Sequence, residues 1–167
     1  MAEQTEIFLN PGEFHFGGPG DRVQTILGSC VAITMWHPGR RIGGMCHILL
    51  PGHAPLGHAA GFDGRYAHDA LQLFLRELDR YGTRPDEYEV KLFGGADQFP
   101  ELGEPVLGDV AGQNIHAALT LLDEHGFVLS TRQVGGTGAR RLVFELGTGA
   151  VWVRSLDPYV LPEGAQP

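Results

Sequence analysis

Cys30 and His47 lie at mirror positions around one turn, in a stretch reading Leu27-Gly28-Ser29-Cys30-Val31 through Gly43-Gly44-Met45-Cys46-His47 to Leu50-Pro51. Val31 to Trp36 and Ile42 to Leu50 are β-rich runs separated by His37-Pro38-Gly39-Arg40-Arg41, the pattern of a hairpin. In an antiparallel hairpin the indices of facing residues sum to a constant. A turn centred on Pro38-Gly39 makes that sum 77 and sets Cys30 across from His47, with Cβ atoms ~4.5–5.5 Å apart. An imidazole at that distance can take the thiol proton and leave a thiolate nucleophile. The pairing depends on register, and Pro-Gly prefers turns that suit a longer loop or a bulge better than a tight two-residue hairpin.

Cys46 falls on the other face of its strand, opposite Val31, because side chains alternate with period two. A Cys30–Cys46 disulfide is disfavoured on that ground, and Cys46 reads as a small buried hydrophobe. Cys30 differs in following Gly28-Ser29 directly, where a strand restarts after a turn. Glycine permits a tight backbone there, and free amides near Ser29 and Cys30 are suited to holding an oxyanion.

Of the eight histidines, His15, His37, His116 and His125 sit in turn or helix-surface contexts that read as solvated. His53, His58 and His68, with His47 and Cys46, form no strong zinc spacing, so no metal is expected. No cofactor is expected either, since the chain contains neither G-x-G-x-x-G nor G-x-x-x-x-G-K-[ST].

The elements that must position Cys30 and His47 follow from patterning. Glu6–Leu9 and Glu13–Phe16 flank an Asn10-Pro11-Gly12 turn, and Arg22–Leu27 is a third strand, so the first third reads as antiparallel β. Residues 51–65 read as an exposed loop able to border an active site. Apolar residues at helical spacing predict a helix over Tyr66–Tyr81, with Asp63 as N-cap and Gly82 as its stop. Tyr88–Phe93 is a strand, 96–109 is irregular, and Asn114–His125 is a second helix ended by Gly126. Phe127–Val134, Arg140–Glu145 and Ala150–Arg154 are three further strands, and the tail after Pro158 is expected to fray. No linker or repeat divides the chain, so residues 1–167 are expected to form a single domain. The fold class is α+β, with largely antiparallel sheets and two main helices packed outside them.

Composition narrows the partners. Acidic residues outnumber Lys plus Arg by 20 to 12, giving a net charge of −8, which argues against nucleic acid. No apolar run is long enough to span a bilayer, and the N-terminus lacks the basic-then-apolar order of a secretory signal. A cytoplasmic location is expected, where two cysteines stay as thiols.

With these residues in place, the chain resembles the chemoreceptor glutamine deamidases, the CheD family. The resemblance runs from about Phe8 to Leu156 and is carried by Asn10-Pro11-Gly12-Glu13, the Leu27–Val31 and Gly43–Pro51 segments, Lys91-Leu92-Phe93-Gly94-Gly95-Ala96, Gly112-Gln113-Asn114, Gly135-Gly136 with Arg140, and Gly149–Val153. It implies sheets packed as a sandwich, a cysteine-hydrolase fold similar to the cytotoxic necrotizing factor toxins. It also implies catalysis by Cys30 and His47 on a glutamine of a methyl-accepting chemotaxis receptor. The family's triad includes a Thr five or six residues before the Cys; Thr25 stands at five here and Gln24 at six. Ala139 stands where the family usually has Gly before the Arg. A chemotaxis phosphatase of the CheC type is the further partner the resemblance suggests. Transglutaminase-like transfer, glutamyl-ester hydrolysis and a non-catalytic adaptor are the competing readings.

Overall fold

The computed structural model describes residues 3–55, 61–97 and 109–156. Among these, the strands are β1 (Thr5–Phe8), β2 (Phe14–Gly17), β3 (Asp21–Leu27), β4 (Val31–His37), β5 (Ile42–Cys46), β6 (Glu89–Gly94), β7 (Leu129–Val134), β8 (Arg140–Glu145) and β9 (Val151–Ser155). The helices are α1 (Ala67–Tyr81) and α2 (Val110–Glu124), with a single 3-10 turn at Pro85–Glu87. Part of the irregular segment expected over 96–109, the tail after Pro158 and the centre of the 51–65 loop with His58 lie outside the described residues. No helix among the described residues is long and apolar enough to cross a membrane.

The strands form a four-stranded sheet, β1-β3-β8-β9, and a five-stranded sheet, β2-β5-β4-β6-β7. Most neighbours are antiparallel, as expected, but β1 runs parallel to β3 and β7 parallel to β6, so both sheets are mixed. The antiparallel reading of the first third is corrected by this. Strands β1 and β2 flank Asn10-Pro11-Gly12 yet do not pair, because their side chains belong to different cores. Ile7 packs with the residues between the sheets, whereas Phe14 stands edge-on to Phe74 of α1 at 4.9 Å.

Two apolar cores make three layers. Between the sheets, Val23, Leu27, Leu142 and Phe144 meet Ala32, Met45 and Phe93. On the far face of the five-stranded sheet, Val31, Ile33, Met35, Cys46, Val90 and Leu92 lie under Leu71, Phe74 and Leu78 of α1 and Ala118 and Leu122 of α2. Strand β4 is therefore buried on both faces and reads as an almost continuous apolar run. Each large side chain sealed in these layers contributes about 1.5–3 kcal/mol. That rigidity fixes where the ends of β3, β4 and β5 lie.

The helix boundaries differ from expectation in instructive ways. Helix α1 buries the anticipated stripe and stops at Gly82, whose φ of 67° turns its N–H back onto the Asp79 carbonyl. Asp63 is not its cap: Tyr66 occupies that position without a side-chain bond, and Asp63 instead pairs with Arg65 at 2.6 Å. Helix α2 begins four residues before Asn114, because Asp109 Oδ1 accepts the Gly112 N–H at 2.8 Å and caps an earlier turn. Asn114 is thus an interior residue of the helix.

Candidate active site

Strands β4 and β5 are joined by a four-residue turn, Pro38 to Arg41, closed by the Arg41 N–H on the His37 carbonyl at 2.8 Å. A two-residue hairpin needs positive φ at or next to the position where proline fixes a negative one. The extra residues resolve that conflict, with Arg41 taking the left-handed φ of 54°. Facing indices then sum to 79, so His47 lies across from Ala32 rather than Cys30. Cys30 sits one residue past the last bridge, Val31–Ile48. The direct Cys30–His47 pairing is corrected to a diagonal one. A shift of two residues preserves parity, so both side chains remain on the face between the sheets, and diagonal neighbours stay within side-chain reach.

His47 is held from two sides. Its backbone is cradled by the Asn10–Glu13 turn, with Gly12 N–H donating to the His47 carbonyl at 2.9 Å and His47 N–H donating to the Glu13 carbonyl at 3.3 Å. Its ring Nδ1 lies 2.7 Å from Thr25 Oγ1, which also lies 2.7 Å from the Leu9 carbonyl. The carbonyl can only accept, so the single hydroxyl proton goes to Leu9 and Nδ1–H donates to Thr25. The imidazole therefore carries its lone pair on Nε2, a buried atom with no partner among the described residues. Thr25 is wholly buried on the inward face of β3, in line with Val23 and Leu27. Gln24 faces outward, bound to Glu6 and Arg141 at 2.6 and 2.8 Å. Of the two residues left open by the sequence, Thr25 is the one at His47.

Cys30 ends a loop whose three carbonyls are all held. Ala96 N–H donates to Gly28 O at 2.9 Å and Gly95 N–H to Cys30 O at 2.8 Å. The Asn114 side-chain amide donates to Ser29 O at 3.2 Å. The approach of β6 to this loop requires Gly94, where φ is 105° and a Cβ would run into the Cys30 carbonyl. The Ser29 and Cys30 N–H groups donate no backbone bond among the described residues. Asn114 also donates to Leu49 O at 3.1 Å. Sequence reading missed its place here, and the Asp109 cap was the signal that would have moved it inside the helix.

Burial sets the protonation of the pair. It raises the Cys30 thiol above its usual range and pushes His47 down to about 4, offset in part by the Leu9 carbonyl and the charge of Glu13. At neutral pH both groups are uncharged, and the imidazole is free to accept a proton at Nε2. Cys46 lies in the helix-side core, fully buried, with its thiol pushed up to about 12 by desolvation. The parity expectation for Cys46 holds.

The remaining histidines stand apart. His37, expected to be solvated, is buried because its Nε2 bonds Glu87 at 2.8 Å and its Nδ1 accepts the Arg40 N–H at 3.0 Å, clasping the turn. His15 is half-buried against Asp21 at 2.7 Å. His53 and His68 approach each other at 6.1 Å between ring centroids. In the first turn of α1 the buried Asp69 carboxylate accepts the N–H groups of the loop residues Ala54 and Asp63 at 3.3 and 2.9 Å.

Comparison with known proteins finds a family described as CheD chemotactic sensory transduction matching residues 49–155, a span that begins two residues after His47. Whole-chain relatives extend the likeness over the site. A protein of Pseudomonas savastanoi pv. phaseolicola named probable chemoreceptor glutamine deamidase CheD is 49% identical over 154 residues, covering 89% of this chain and 84% of its own. One of Pseudomonas fluorescens with the same name is 47% identical, covering 96% and 90%. A third, from Dechloromonas aromatica and named probable chemoreceptor glutamine deamidase CheD 3, is 44% identical, covering 98% and 92%.

Proposed function

The chain belongs to the CheD family, and from that premise we propose that it converts glutamine side chains of chemotaxis receptors to glutamate, with Cys30 as nucleophile and His47 as its base. The observation that carries the reading is the buried Thr25–His47 bond, which presents Nε2 as a proton acceptor on the face that holds Cys30. A structural histidine in an apolar layer has no use for an unsatisfied acceptor, which costs about 1–3 kcal/mol.

In the proposed reaction His47 Nε2 takes the Cys30 proton as sulfur attacks the glutamine carboxamide carbon. The oxyanion forms beside the undonated N–H groups of Ser29 and Cys30, with Gly28 giving the loop its tight backbone. The imidazolium returns its proton to the departing ammonia, leaving a γ-glutamyl thioester. Neutral His47 then activates water, and hydrolysis releases glutamate and the thiol. Thr25 holds the ring in the tautomer each step requires. The reaction adds one negative charge to the receptor at each site, and the reading carries a cytoplasmic location with it.

The test is product analysis. The protein is incubated with a receptor cytoplasmic fragment, with and without an added primary amine, and also with the fragment's glutamyl methyl esters. Ammonia release with glutamine-to-glutamate conversion supports the reading. Amine incorporation in preference to hydrolysis, or turnover of esters alone, would replace deamidation with acyl transfer or ester hydrolysis. Binding without turnover would leave the adaptor.

A further inference from the structure

We infer that Asn114 is a positioning residue that fixes Cys30 relative to His47, a deepening that rests on the function proposed above. The side chain reaches from α2 into the gap where two strands part. Val31 and Ile48 exchange both backbone bonds, at 3.1 and 2.8 Å, and a continuing ladder would next join Ser29 to Leu50. Instead the Leu49 and Leu50 N–H groups both turn to the Arg65 carbonyl, at 2.8 and 2.9 Å. The Asn114 amide takes up the gap, giving one proton to Ser29 O at 3.2 Å and the other to Leu49 O at 3.1 Å. One carbonyl precedes Cys30 directly, and the other lies two residues after His47.

The rest of the residue's environment gives no other reason for an asparagine. Asn114 is wholly buried on the stripe of α2 that also buries Ala111, Ala118 and Leu122, where an apolar side chain would pack. It caps no helix end, and asparagine is a poor interior helix former. Its Oδ1 is buried without a partner among the described residues. A position that breaks helix propensity and leaves an acceptor unsatisfied is explained by what its two donors hold.

Two consequences follow for the chemistry. The peptide is planar and trans, so turning the Ser29 carbonyl toward α2 turns the Cys30 N–H the opposite way, away from the helix. The same amide prevents the Cys30 loop and the His47 segment from moving independently. Misplacement by about 1 Å is enough to lower a rate ~100-fold.

The experiment measures the pH profile of Cys30 alkylation by iodoacetamide in wild type, His47→Ala, Asn114→Ala and the near-isosteric Asn114→Asp, with the thermal midpoint of each. Asp keeps the packing but has one donor when protonated and none when ionised. Wild type is expected to react below the thiol's own ionisation range because His47 accepts the proton, and His47→Ala to react only within it. Both Asn114 variants are expected to shift toward the His47→Ala profile, and on a receptor fragment to lose about 30- to 100-fold in kcat with KM within about 3-fold. If a folded Asn114 variant overlays the wild-type profile, the inference is overturned whatever the change in thermal midpoint. Should Asn114→Ala not fold, Asn114→Asp decides by the same criterion. If wild type and His47→Ala share one profile, the function proposed above fails instead, and the two failures are told apart.

Discussion

Cys30 and Cys46 lie on opposite faces of the same five-stranded sheet, one strand apart, and their surroundings differ in kind. Cys46 belongs to the apolar cluster sealed beneath the helices, and desolvation there pushes its thiol up to about 12. On the other face, the apolar layer that holds Cys30 also buries the bonded pair Thr25 and His47. Asn114 holds the Ser29 carbonyl, and the loop's carbonyls are all engaged while the Ser29 and Cys30 amides donate no backbone bond among the described residues. On the proposed function, what separates a structural thiol from a nucleophile is burial in company with oriented polar groups. Packing alone does not distinguish them, since both cysteines are buried.

The contrast is broken most severely by removing the sulfur or its base. Cys30→Ala and His47→Ala are each expected to lower kcat/KM on a receptor fragment by at least ~1000-fold. Cys46→Ala should leave activity within about twofold and cost about 1–2 kcal/mol in denaturant unfolding through the small cavity it opens. Equal activity losses at the two cysteines would erase the distinction.

Thr25 sharpens it next. Thr25→Val keeps the shape but removes the hydroxyl, leaving His47 Nδ1 and the Leu9 carbonyl without their shared partner. A loss of about 10- to 100-fold in kcat is expected, with about 1–3 kcal/mol in stability. Thr25→Ser restores most of both, and Gln24→Ala, on the outer face, changes kcat by less than twofold.

The smallest effect is on stability against pH. The folded protein holds His47 near 4, below the usual histidine value of about 6.5. Between those values the unfolded chain binds the additional proton, so stability rises with pH through this window, is complete above it and is lost as pH falls toward 4. Denaturant titrations from pH 7 to pH 4 should show a steeper fall for wild type than for His47→Gln, by at most roughly 3 kcal/mol. Cys46→Ala should follow the wild-type slope.

How much of this was legible beforehand depends on whether a residue's role is local. Strand parity alone put Cys30 and His47 on one face and Cys46 on the other, and parity survived a register error of two. The error came from a proline at the turn, whose four-residue solution is not encoded in the spacing of the flanking strands. The choice between Thr25 and Gln24 stayed open in the sequence; the structure shows Val23, Thr25 and Leu27 alternating inward. The parallel β1–β3 and β6–β7 pairings were out of reach, because each joins strands that are separated by another element, β2 in one case and α2 in the other, and local turn signals do not report such pairings. The Asn10-Pro11-Gly12-Glu13 segment read as a turn and is one, but its use as the backbone cradle of His47 is a long-range fact. Asn114 was hidden by a misplaced helix start, and its two carbonyl partners lie 85 and 65 residues away in sequence.

The most direct test of the central claim is to capture the covalent intermediate. A reaction with a receptor cytoplasmic fragment is quenched in acid during turnover, digested and searched by mass spectrometry for a γ-glutamyl thioester. The expected result is a receptor peptide attached to Cys30, accumulating in wild type and missing from Cys30→Ala. A thioester on Cys46, or steady glutamate formation by Cys30→Ala, would contradict it.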